Sequence, residues 1–358
     1  MRLPLPRSSA GRAALLVPLF AVTVLLLVWR GPDLDTVVHA FDFVRWRWVV
    51  AALGLNLVSV VVRAVAWRTV IRQALPGRAG PFGRIFSAFA IGLLGNAVLP
   101  GRIGELARVA VLTRRLPRGQ GYTATLVGTV FAHRLFDLIP ALLLVAYVLV
   151  TARIPQWAVT SLLLVSAIGL TLFLFAIVSA RRAGRPALGA AGGGVRRLLA
   201  MGRQGLGVLQ APVAATAAAL LQCVGWFVQL LAVWVAMRAF GIDAPLPAAG
   251  LVLLLMNVAT IFPLWPGNIG LLQAAVALPL VSYGVAYATG FAYGLGLQVI
   301  EMSVGVGVGL LFLMREGLSF ATLKGMPGAA GDDGEPAEPR PSREPEPDAR
   351  RASARVPG

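Results

Sequence analysis

A chain of 358 residues that is 58% hydrophobic and only 13% charged, with a mean hydropathy of +0.79, cannot hide its apolar surface in a water-soluble core, so it is an integral membrane protein. A net charge of +17 would suit nucleic acid, but the arginines fall in short clusters between apolar blocks, with no soluble basic domain. The lone cysteine, Cys223, excludes an intrachain disulfide and a cysteine-built metal site, and 31 arginines against a single lysine, Lys324, point to a GC-rich bacterial genome.

Residues 1–12 carry Arg2, Arg7 and Arg12 and precede the apolar run 13–29, which lacks a small-x-small cleavage site and is expected to stay as a first membrane helix with a cytoplasmic start. The connector 30–48 mixes aspartates, arginines and tryptophans, as an outer interface does. A helix over 49–67 then delivers Arg68, Arg72, Arg78 and Arg84 to the cytoplasm. The next apolar segment, 85–99, would be about 22 Å long as a helix against a hydrocarbon core of about 30 Å, and it ends at Pro100-Gly101. Arginines follow at 102, 108, 114, 115 and 118, so both ends of this element are expected on the cytoplasmic side, which predicts a re-entrant hairpin.

Further along, 122–150 and 158–180 read as spans joined by an outer turn, and 181–210, with six arginines, as a cytoplasmic loop. Spans at 212–237 and 288–314 force the block 248–287 to begin and end outside, a second hairpin entering from the opposite face. Its Pro266-Gly267-x-Ile269-Gly270 echoes Pro100-Gly101-x-Ile103-Gly104, as an inverted repeat would. The expected fold is all-α: a polytopic membrane bundle over 13–316 with two oppositely directed re-entrant hairpins. A cytoplasmic N-terminus (1–12) precedes it and a disordered cytoplasmic tail (317–358) follows.

The charged residues set into apolar sequence are the candidate substrate site. On a helix starting near Ile103, residues 102, 105 and 108 share one flank. Arg102 and Arg108 beside the break suit a phosphate headgroup, with Glu105 available for an amine or to orient an arginine. The alternative is that the arginines snorkel to interfacial lipid with Glu105 paired to them. Arg134 and Asp137 are placed to pair along one helix, with His133 beside them for substrate contact or proton handling. Glu301 lies inside the last span, near Gln298 and the series Gly305, Gly307, Gly309. Asn268 and Gln273 flank the second break, where a turn needs polar caps for geometry alone. No nucleophile triad, metal spacing, P-loop or dinucleotide fingerprint appears, so no cofactor, metal or enzyme chemistry is expected.

The pattern Asn96-x-x-Leu99-Pro100-x-Arg102-x-Gly104-Glu105-x-x-Arg108, then His133-Arg134-x-x-Asp137-Leu138, then Pro263-x-x-Pro266-Gly267-x-Ile269-Gly270, resembles the lysylphosphatidylglycerol synthase transmembrane region family, also called flippase-like. The resemblance covers about residues 13–316. The family often has Glu where His133 and Gln273 stand. Its full-length synthases add a soluble aminoacyl-transferase domain, so aminoacyl transfer is not expected of this sequence.

The resemblance implies a phospholipid or lipid-linked substrate, moved between the leaflets of a bacterial cytoplasmic membrane without ATP and held at Asn96, Arg102, Glu105, Arg108, His133, Arg134, Asp137, Asn268, Gln273 and Glu301. Two other readings stand beside it. One is a non-transporting anchor or regulator of a cell-envelope enzyme, with homo-oligomerisation also open. The other is a small membrane transferase using the same Arg/Glu cluster.

Overall fold

The computed structural model describes residues 34–98, 103–116, 122–182, 208, 211–261 and 268–318, and the regular secondary structure among them is helical. Ten helices follow in order: α1 Leu34–Asp42, α2 Trp46–Ala74, α3 Phe82–Val98, α4 Gly104–Thr113, α5 Tyr122–Thr151, α6 Gln156–Arg182, α7 Pro212–Ala239, α8 Leu246–Ala259, α9 Leu271–Val281 and α10 Tyr287–Arg315. Five of them, α2, α5, α6, α7 and α10, are long and apolar enough to cross a bilayer. The first predicted helix (13–29), both Pro-Gly breaks, the 183–207 part of the arginine-rich loop and the 319–358 part of the tail lie outside the described residues.

The connector expected over 30–48 contains a helix instead. In α1, Val37 is buried against Ala277, Phe291 and Ala292, enough apolar contact to fold a short amphipathic helix onto the start of α10. Helix α2 runs longer than the apolar stretch that announced it. Its arginines are good helix formers, so hydropathy ends before the helix does.

Contacts fix the chain directions. Residues 45 and 59 of the first strut meet 239 and 225 of the second, so α2 and α7 are antiparallel. Trp67 meets Thr129, and Arg63 meets His133, so α5 is antiparallel to α2. Gln229 meets Glu301, and Val233 meets Tyr293, so α10 is antiparallel to α7. The end of α2 and the start of α5 therefore lie at one end of the bundle, with α3 and α4 between them. The end of α7 and the start of α10 lie at the other end, with α8 and α9 between them.

The second group reproduces the first. Helices α2, α3, α4 and α5 start at Trp46, Phe82, Gly104 and Tyr122; α7, α8, α9 and α10 start at Pro212, Leu246, Leu271 and Tyr287, displacements of 166, 164, 167 and 165 residues. The packing partners correspond as well. The first half of α5 meets α4 at Glu105 and its second half meets α8 at Gly250, while the first half of α10 meets α9 at Ala277 and its second half meets α3 at Leu94. With α2 and α7 antiparallel, the two halves form an inverted structural repeat.

Glycine allows the closest of these approaches. A Cβ on Gly104 would overlap the carbonyl oxygen of Gly92 and come within 2.5 Å of the Asn96 nitrogen; one on Gly309 would lie 2.5 Å from Leu94 Cβ. Gly307, two residues before Gly309 in the glycine series, has nothing within 4 Å. Gly104→Ala is therefore expected to destabilise the protein by about 1–3 kcal/mol through overpacking of α3 on α4, while Gly307→Ala leaves the thermal transition in detergent unchanged.

One polar clasp joins the halves at the end of the bundle. Glu316, just beyond α10, accepts from Ser87 Oγ at 2.8 Å and pairs with Arg115 beyond α4. Partial burial raises its pKa, but the Arg115 and Ser87 hydrogen bonds outweigh that and hold it below the ordinary value of 4.5. A depressed carboxylate stabilises the fold above its unfolded pKa and ceases to do so as pH falls through the folded one. Lowering the pH below about 4.5 is thus expected to reduce the stability, read as melting temperature, more in the wild type than in Glu316→Gln, the difference reaching up to about 1 kcal/mol.

Candidate functional site

A cavity of about 420 Å³ opens where the two halves meet. Its depth follows from the helices that build it. Arg63 lies three residues past the middle of α2, Asp137 at the middle of α5, Gly225 and Trp226 at the middle of α7, and Glu301 is the central residue of α10. Four long helices thus bring their charged or polar midpoints together, where ionised groups are costly and need partners.

The wall contributed by the first half is charged. Glu105, in the first turn of α4, pairs with Arg108 Nη2 at 2.5 Å and with Arg134 of α5, and Asn96 Nδ2 of α3 reaches it at 3.5 Å. Arg108 is only 3% exposed, and its guanidinium sits 4.7 Å from the Trp67 ring centre and 5.5 Å from that of Phe89. It is enclosed between a carboxylate and two aromatic faces rather than extended to interfacial lipid. Arg134 also reaches Asp137 Oδ2 at 3.3 Å, the pairing expected from their spacing. Asp137 Oδ1 accepts from Gln222 Nε2 at 3.0 Å and Trp226 Nε1 at 2.9 Å, so α7 holds its carboxylate in place.

His133 is buried behind this cluster. Its Nε2 lies 3.1 Å from the Arg63 carbonyl oxygen and 3.2 Å from Gln222 Nε2, and its Nδ1 is buried with no partner among the described residues. The side chain of Asn96 leaves Oδ1 likewise unpartnered.

Arg63 is the residue that sequence reading passed over. It lines the cavity with its Cζ 5.5 Å from the Trp226 ring, its Nε is buried without a hydrogen-bond partner, and among the described residues it has no ion pair. It lies inside the predicted span 49–67, five residues before the arginines that leave the membrane; one clue lay in the apolar sequence that continues past it to Trp67.

The wall from the second half is neutral and polar. Asn257, Thr260, Asn268 and Gln298 line it, and Glu301 carries its one charge, accepting from Gln229 Nε2 at 2.9 Å. Asn268 donates to the Ala259 carbonyl at 3.1 Å and takes a positive φ of 46°, a turn geometry that asparagine tolerates. Gln273 stands outside the cavity lining: its Oε1 accepts from the Gly270 amide at 2.6 Å, capping α9, and its Nε2 donates to Gln298 Oε1 at 2.5 Å. It therefore holds the lining residue Gln298 without facing the cavity itself.

Of the predicted residues, Asn96, Glu105, Arg108, His133, Arg134, Asn268 and Glu301 line the one cavity, Asp137 backs it, Gln273 braces it and Arg102 lies outside the described residues. No group of three or more His, Cys, Asp or Glu side chains among the described residues is placed to hold a metal ion.

The fold and site define a polytopic helical membrane protein with a charged internal cavity between two inverted halves. The chain belongs to the family described as lysylphosphatidylglycerol synthase TM region, whose profile matches residues 13–309. No curated protein matches it.

Proposed function

We propose that this protein moves a lipid, or a lipid-linked intermediate with an anionic or zwitterionic headgroup, between the leaflets of a bacterial cytoplasmic membrane. The observation that carries this reading is a charged cavity at the mid-depth of the bundle, walled by both inverted halves. Such a site can be opened to each side in turn by rocking one half against the other. Helices α3, α4, α8 and α9 have only 17, 10, 14 and 11 residues, too short to cross a bilayer comfortably, which supports reading each pair as a re-entrant hairpin, one from each face. Arg68, Arg72, Arg78, Arg84, Arg114, Arg115 and Arg315 gather at one end of the bundle, which the positive-inside rule makes the cytoplasmic one, and both termini belong on that side. In this reading the protein is a transporter without a reaction of its own.

Reconstitution in liposomes with a fluorescent headgroup-intact phospholipid tests it. The wild-type protein is expected to expose inner-leaflet label to an external quencher much faster than empty liposomes do. Equal rates would remove lipid movement from the account and leave the anchor or regulator reading of the same family membership.

A further inference from the structure

Among the described residues the cavity cluster balances its own charge. Arg63, Arg108 and Arg134 face Glu105, Asp137 and Glu301, three cations against three carboxylates. Adding a phosphate monoanion to this balance would leave one uncompensated negative charge in a region of low dielectric, which is strongly unfavourable. Either the anion stays out or one carboxylate takes up a proton.

The geometry distinguishes the three carboxylates. Glu105 is held by two arginines, and Asp137 by Arg134, Gln222 and Trp226. Glu301 has one neutral donor, Gln229, and no ion pair among the described residues. The groups that face it are few: Arg63 from α2, Gln229 from α7, and Tyr293 on its own helix, whose hydroxyl is already donated to the Val233 carbonyl at 2.9 Å. Helices α3 and α9, packed on either side of α10, meet it at Leu93 next to Gly305 and at Gln273 next to Gly294 and bring no charge there. Within the cluster, the cation and the carboxylate that have no ion pair among the described residues therefore share the cavity.

We infer that Arg63 seats the phosphate of the ligand and that Glu301 takes up a proton when it binds, so that phosphate monoanion and proton enter the cavity together. The proton comes from the water on the open side and returns to water on release, with no other bond made or broken. This rests on the lipid-binding reading above and adds the headgroup class and the coupled ion. A zwitterionic headgroup, bringing its own cation, needs no proton.

The test reads binding rather than transport, so that its failure and that of the transport reading are separable. Purified protein in weakly buffered uncharged micelles near neutral pH is mixed with phosphatidylglycerol, phosphatidylcholine or inorganic phosphate. Binding is followed by tryptophan fluorescence, and proton uptake by a pH indicator. Phosphatidylglycerol is expected to bind with uptake of about one proton per lipid, and its affinity to fall roughly tenfold per pH unit once Glu301 is ionised in the free protein. Phosphatidylcholine is expected to take up none, and inorganic phosphate not to bind.

Glu301→Gln is expected to bind phosphatidylglycerol without proton uptake, and Arg63→Gln to bind it roughly tenfold to a hundredfold more weakly, with Arg63→Lys in between. Binding by the wild type without proton uptake, equal uptake in Glu301→Gln, or no binding by the wild type would each overturn the inference. Proton-linked binding of inorganic phosphate in place of the lipid would overturn the lipid source.

Discussion

Glu105→Ala is expected to lower the stability of the protein by about 3–5 kcal/mol and to abolish lipid movement with it. Arg108 is the reason. It is 3% exposed, encased by Trp67 and Phe89, and Glu105 is the carboxylate within ion-pair reach of it. Taking away that partner leaves a buried cation uncompensated, and the aromatic faces offset only about 2 kcal/mol of its desolvation. Arg134 loses less, because it keeps Asp137 and is nearly half exposed.

The double variant Glu105→Leu with Arg108→Leu separates the two effects, since an apolar pair of similar volume replaces a buried ion pair at little cost. Thermal unfolding in detergent should show the double variant more stable than Glu105→Ala, with strong coupling between the sites in a double-mutant cycle. Equal melting temperatures for wild type and Glu105→Ala would mean that Arg108 has water or another anion for company. Transport by the double variant at the wild-type rate would confine this pair to a structural role.

The cluster is also where the inverted repeat departs from symmetry. Positions 166 residues beyond Glu105, Arg108, Arg134 and Asp137 are occupied by Leu271, Ala274, Ile300 and Ser303. The backbone plan is repeated, but the first copy holds four charges where the second holds none. The counterpart of Arg63 is Gln229, the residue that donates to Glu301. A substrate in the cavity would therefore meet charge mostly on one side and amides on the other, which orients a headgroup and lets its tail leave along the neutral wall.

Hydropathy and arginine placement made the spans legible, because the energy terms that set them are large and additive along the sequence. They also placed the pairs of short helices, α3 with α4 and α8 with α9, between the right spans. The repeat was visible in the sequence only as five residues around each Pro-Gly; its full extent is carried by helix lengths and packing order, which many sequences satisfy. Partnerships across long separations were not legible. Nothing in the sequence near Asp137 announces Gln222 and Trp226, 85 and 89 residues away. Gln273 looked like a site residue because it is polar beside a break, and it is the break's own geometry that uses it. Arg63 was missed for the converse reason: an arginine near the end of an apolar run is indistinguishable by composition from those that simply stop it.

Arg63→Gln should therefore behave unlike Glu105→Ala. Arg63 has no ion pair among the described residues, so a neutral amide of similar reach removes a desolvated charge, and the excess negative charge this leaves in the cluster is relieved when Glu301 takes up a proton. Against that gain stand its contact with the Trp226 ring, 5.5 Å away, which is worth about 0.5–2 kcal/mol, and the attraction of the Asp137 and Glu301 carboxylates. The melting temperature is expected to stay level or rise, while affinity for an anionic phospholipid falls roughly tenfold to a hundredfold, the loss of a charge-assisted hydrogen bond. Stability gained at the expense of function is the usual signature of a residue kept for its ligand. Lysine at the same place keeps the charge but not the two-pronged geometry, so intermediate affinity is expected of it. A marked fall in melting temperature with unchanged lipid affinity would show Arg63 to be bonded within the fold, and the cavity would then lose the one cation it holds in reserve.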